Sequence, residues 1–135
     1  MDANLILQAA EATLTGSLPF PEIVKGLMNH GVENYYVDYA SRSFTFYSPQ
    51  GAAVHAPISF EDLPAIAADF NRQALLAAIV DSQHHGQNFR DFSKRAVSAG
   101  VQGYFAFLRG QRVTYFGRQG DHHTEWFPGA QPSDA

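Results

Sequence analysis

The apolar positions of this chain run first at helical spacing and then at alternate residues, and the same change of period occurs a second time. From Asn4 to Leu14, Leu5, Leu7, Ala9 and Ala10 stand among helix formers and predict a first helix, which Gly16 ends. Pro21 suits the first turn of a second helix that reaches about His30, with Ile23, Leu27 and Met28 on one face. Gly31 stands where a left-handed cap is wanted, and Val32 can fold back on the last turn. The period then falls to two. Val32–Tyr39 and Arg42–Tyr47 predict a hairpin, and a third strand near Ala53–Ala56 follows the turn Pro49-Gln50-Gly51.

Laying His30–Gly51 over Ala99–Gly120 aligns identical residues at Gly31/Gly100, Val32/Val101, Tyr35/Tyr104, Thr45/Thr114 and Gly51/Gly120. The second passage therefore predicts a helix over Asn71–Gln83, the Ala99-Gly100-Val101 stop, strands over Val101–Leu108 and Gln111–Gly117, and a third over Asp121–Phe127. Ala40-Ser41 and Arg109-Gly110 are expected as two-residue hairpin loops. Between the repeats, Ser59-Phe60-Glu61-Asp62 before Pro64 reads as a helix start, giving a linker helix over 59–70. The fold class is α+β: internally duplicated helix-helix-β-meander units, with antiparallel sheet or sheets packed against helices. One domain over 1–129 is expected, with repeats at 4–57 and 71–128 and a disordered tail from 130 to 135.

Alternation divides each hairpin into two faces. Tyr35, Val37, Tyr39, Phe44 and Phe46 share one face in the first copy; Tyr104, Ala106, Leu108, Val113 and Tyr115 share it in the second. Both sets are apolar enough to be the core. The opposite face carries Asn34, Tyr36, Asp38, Ser43, Thr45 and Tyr47, then Gly103, Phe105, Phe107, Arg112, Thr114 and Phe116. Three phenylalanines there either meet the other copy's sheet or contact something outside the chain.

Composition narrows the chemistry. The net charge is −4, and the nine Lys and Arg are scattered, which argues against a nucleic-acid partner. There is no Cys, so thiolate metal sites and cysteine nucleophiles are excluded. No apolar run approaches a membrane span, and a cytoplasmic protein is expected. His84-His85 and His122-His123 are wrongly spaced to chelate one ion; His123 with His55 and Asp38 would have to assemble from separate segments, and no metal is expected. No G-x-S-x-G, G-x-G-x-x-G or P-loop occurs, so neither a catalytic residue nor a cofactor is assigned. His123 and Glu125, two apart on a strand, remain the one acid–base pair the spacing offers.

The motifs LPFPEIVKGLMNHGVENYYVDY, TFYSPQG, FRDFSKRAVSAGVQGYF and RVTYFGRQGDHHTEWFP resemble the YbcV/YdfO-like family of small bacterial and prophage proteins. The resemblance covers nearly the whole chain. It implies an α+β single domain found among prophage-associated genes, at times labelled a phage envelope protein, with no catalytic residues to transfer.

Two functions are expected from different classes. The first is a non-enzymatic accessory protein acting through protein contacts, with a homodimer or protein partner on a face built from Tyr36, Asp38, Tyr47, Phe105, Phe107 and Phe116. The second is a small-ligand binder or hydrolase with a pocket between the repeats, lined by Tyr36, Asp38, His123 and Glu125.

Overall fold

The computed structural model describes residues 1–130. Helices α1 (Ala3–Thr15) and α2 (Phe20–Asn29) precede strands β1 (Asn34–Asp38), β2 (Ser43–Tyr47) and β3 (Ala53–Pro57). The same order returns in α3 (Arg72–His84), α4 (Phe89–Ser98), β4 (Val101–Phe107), β5 (Arg112–Gly117) and β6 (His122–Trp126). The expected disordered tail lies, from residue 131 onward, outside the described residues.

Each helix start is fixed by a residue the sequence supplies. Asp2 accepts hydrogen bonds from the backbone N–H of Asn4 and Leu5, Asn71 from Ala74, and Asn88 from Asp91, so orphan donors of α1, α3 and α4 are satisfied. Helix α2 begins instead with Pro21 in its first turn, where no donor is lost. Gly31 and Gly100 adopt φ of +85° and +91°, and the Val32 N–H reaches back 3.0 Å to the Leu27 carbonyl.

The two meanders join edge to edge. The sheet runs β3-β2-β1-β4-β5-β6, antiparallel throughout, with Asn34 opposite Phe107 and Asp38 opposite Gly103 across the central seam. One sheet, rather than two, answers the question the sequence left open. All four helices pack on one side of it. Ile6, Ile23, Leu27, Leu75, Ile79 and Phe92 bury there against Tyr35, Val37, Phe44, Phe46, Tyr104, Ala106, Val113 and Tyr115, the face that alternation assigned to the core. Inside it the Tyr39 and Ser93 hydroxyls hydrogen-bond at 2.9 Å and satisfy each other.

Two expectations are corrected. The hairpin register is as expected, but the loops are four residues long, Tyr39–Arg42 and Leu108–Gln111, since Asp38 pairs with Ser43 and Phe107 with Arg112. Tyr39 and Leu108 are buried, so the first residue of each loop is drawn into the core; the left-handed conformation falls on Arg42 and Gln111, both at φ 57°. The second correction concerns residues 59–70, which form no helix. Asp62 accepts hydrogen bonds from Arg90 and Lys94 of α4 instead of capping a helix of its own, and these partners hold its carboxyl well below the usual carboxylate range. The segment is pinned as irregular chain: the N–H of Ala67 donates to the Val97 carbonyl, that of Asn71 to Ala99, and Arg118 and Gln119 donate to the carbonyls of Ile66 and Ala68.

Candidate functional site

Six strands bring the candidate residues into ordered rows, and the rows separate them. On the side away from the helices, one row reads Tyr47, Asn34, Phe107, Arg112 and Trp126. The next reads His55, Thr45, Tyr36, Phe105, Thr114 and Thr124, and the third Ser43, Asp38, Gly103, Phe116 and His122. Tyr36, Tyr47, Phe105, Phe107 and Phe116 are therefore on one face, half-buried by one another and covered by no helix. The Tyr36 and Phe105 rings lie 4.6 Å apart across the β1–β4 seam, and the Phe105 and Phe107 rings stack at 5.5 Å. The Arg112 guanidinium sits 4.1 Å over the Trp126 ring. Asp38 shares this face but works locally: its Oδ1 accepts from the N–H of Ala40 and Ser41 and shapes the hairpin loop.

His123 and Glu125 are not with them. The β5–β6 register sets His123 opposite Tyr115 and Glu125 opposite Val113, on the helix side of the sheet. The expected lining of Tyr36, Asp38, His123 and Glu125 is thus split between opposite faces. His123 is likewise remote from His55, which lies on the uncovered face and hydrogen-bonds Thr45. Among the described residues no group of three or more His, Asp or Glu is gathered as metal ligands would be.

What the helix side holds instead is a cleft of about 690 Å³ between the α1–α2 connection and the α3–α4 connection. Its floor is Tyr35, Tyr104, Val113 and Tyr115, from three adjacent strands. Its walls include Ile23 and Phe20 from one helix pair, and Ile79, Phe89 and Phe92 from the other. Phe20, 45% exposed, meets Phe127 edge-on at 5.6 Å across the mouth. The α3–α4 rim is braced: Arg95 donates to Asp81 and to the Gln87 side-chain carbonyl, and the Gln87 amide donates to Ala78 and Ser82. Such bracing pre-orders the α3–α4 side of the cleft.

Thr13, Ser17, Ser82, Gln83, Gln87 and Asn88 add polar groups to the walls, and on the floor the polar groups are the tyrosine hydroxyls. Among the described residues the Tyr35 and Tyr115 hydroxyls make no hydrogen bond within the chain, and no buried side-chain polar atom is sealed without a partner, so both open onto the cleft. Burial pushes the titration of both hydroxyls far up, and the charge of Glu125 adds to this at Tyr115, so both keep their protons at neutral pH. Glu125 lines the cleft, its Oε1 held 3.0 Å from His123 Nε2.

A family profile described as "Protein of unknown function (DUF1398)" matches residues 8–124. The chain belongs to the DUF1398 family. Similar proteins include "Uncharacterized protein Mb2035" of Mycobacterium bovis and "Uncharacterized protein Rv2012" of Mycobacterium tuberculosis. Each is 27% identical over 131 residues, covering 94% of this chain and 80% of the relative. The DUF1398 match begins inside α1, takes in the other three helices and the cleft floor, and ends inside β6, one residue short of Glu125. No helix among the described residues is long and apolar enough to cross a membrane.

Sequence reasoning found the uncovered face of this DUF1398 protein and expected a pocket between the repeats, but of the four lining residues it named only Glu125 lines the cleft. Alternation assigns Tyr35, Tyr104 and Tyr115 to the core, which they are by burial. The signal that could have marked them is hydroxyl arithmetic. Of the four tyrosines on this core face, Tyr39 bonds Ser93 and partners Tyr104, which leaves the Tyr35 and Tyr115 hydroxyls without a partner among the described residues.

Proposed function

We propose that this protein binds a small, mostly apolar molecule in the cleft between its two helix pairs. The observation that carries the reading is the pair of hydroxyls, Tyr35 and Tyr115, unpartnered among the described residues, on the floor of a mostly apolar space of about 690 Å³. That volume lies within the range of small-molecule sites, which join an apolar lining to a few convergent polar groups. Binding is favoured over hydrolysis. His123 is turned to Glu125, and among the described residues no serine or threonine hydroxyl hydrogen-bonds either of them. Val113→Phe places a ring on the cleft floor and tests the reading. The neutral dye Nile red is expected to bind the wild type saturably, one dye per chain, and to lose at least tenfold in affinity in the variant, whose circular dichroism stays native. Equal binding by both proteins would remove the cleft as the site.

The uncovered aromatic face favours a second reading, in which a protein partner or a second copy of the chain lies on Tyr36, Phe105, Phe107 and Phe116. The prophage-associated accessory role implied by the sequence resemblance fits this reading. Light scattering is expected to give twice the chain mass for the wild type and the monomer mass for Phe105→Glu. A wild-type monomer at every concentration would dismiss self-association.

A further inference from the structure

The charge and ring content of the cleft say more about its occupant than its volume does. Eight aromatic residues line it, among them Phe20, Phe89, Phe92, Phe127, Tyr35 and Tyr115, and among the described residues no Lys or Arg does. Among the described residues, Glu125 is the one lining residue with a formal charge. An anionic head entering here would lose its water to meet a carboxylate and the electron-rich faces of aromatic rings, with no cation to receive it. A cationic head would meet both attractions at once, since ring faces and a carboxylate each favour positive charge and both act more strongly where water is excluded. The two free hydroxyls fit the same role, because each presents oxygen lone pairs as well as a proton.

Resting on the reading of the cleft as a ligand site, we infer that its ligand is a lipophilic organic cation: an apolar body on the floor between the helix pairs, and a substituted ammonium head toward Glu125. His123 is then a positioning residue, since its ring nitrogen fixes one carboxylate oxygen of Glu125 and leaves the other for the ligand.

Three probes with one tail separate head from body: decyltrimethylammonium, 1-decanol and decanoate, each titrated calorimetrically into the full chain below its micellar concentration. The cation is expected to bind at least tenfold tighter than the alcohol, with decanoate weakest. Glu125→Gln should bring the cation to within about threefold of the alcohol and leave the alcohol unchanged, since only the charge term is removed. Raising the salt concentration with the wild type gives the same contrast without a mutation, weakening the cation and not the alcohol. If the three probes bind alike, or if Glu125→Gln leaves their order intact, the cation assignment is overturned while the ligand site stands. If none binds and Nile red also fails, the ligand site itself falls.

Discussion

Gly100→Ala is expected to cost about 4 kcal/mol or more, whereas Gly31→Ala, at the matching stop of the other helix pair, costs about 1–2 kcal/mol. Both glycines end a helix in the left-handed region, at φ +91° and +85°, so each substitution incurs the same backbone strain. What differs is the neighbourhood. A Cβ on Gly31 would have Met1 as its nearest contact, at an ordinary 3.6 Å. A Cβ on Gly100 would lie 2.3 Å from the Asp69 carbonyl oxygen and 2.9 Å from the Phe70 Cα, both backbone atoms. These cannot swing aside, because the adjoining Asn71 N–H is held 2.7 Å from the Ala99 carbonyl. Urea midpoints of the two variants at unchanged m-value measure the difference directly. Equal losses would mean that the 59–70 segment yields freely and is not the strap its hydrogen bonds indicate.

That strap is also where the sequence was least legible. Capping-box chemistry at Ser59–Asp62 is a local signal, and it was outcompeted by two cations of α4 that lie remote in sequence and adjacent in space. The faces of the sheet were legible because alternation is rigid: once Asp38 pairs with Ser43, every side chain from Asn34 to Tyr47 is committed to one side. The same rule extended through the Gly117–Asp121 turn would have placed His123 and Glu125 with Tyr115 and Val113. The register across that turn was the missing quantity. The lining of the cleft was illegible for another reason. An empty space is set by how far apart two helix pairs stand, and the distance between the α1–α2 and α3–α4 connections is written in no single segment. Of the cleft's polar groups, Glu125 was named from sequence for its spacing to His123, and its neighbours on the floor are the tyrosines that packing alone would call core.

The seam that joins the two halves depends on a second glycine. Gly103→Ala is expected to cost at least about 3 kcal/mol although its φ lies outside the left-handed region, because a Cβ there would stand 2.3 Å from the Tyr36 hydroxyl and 2.6 Å from the Val37 carbonyl oxygen. Gly103 faces Asp38 across the β1–β4 pairing, so relief by moving the backbone would open the strand junction that joins the two three-stranded meanders. The two obstacles are separable. Tyr36→Phe removes the hydroxyl and leaves the carbonyl, so in the Gly103→Ala background it should restore about 1 kcal/mol and no more. In the wild-type background the same change removes a half-exposed hydroxyl and should be worth less than about 0.5 kcal/mol. A coupling near zero would place the whole cost on the Val37 carbonyl. Full rescue would place it on Tyr36, and would mean that the aromatic face, through the ring that covers Gly103, sets the fit of the seam beneath it.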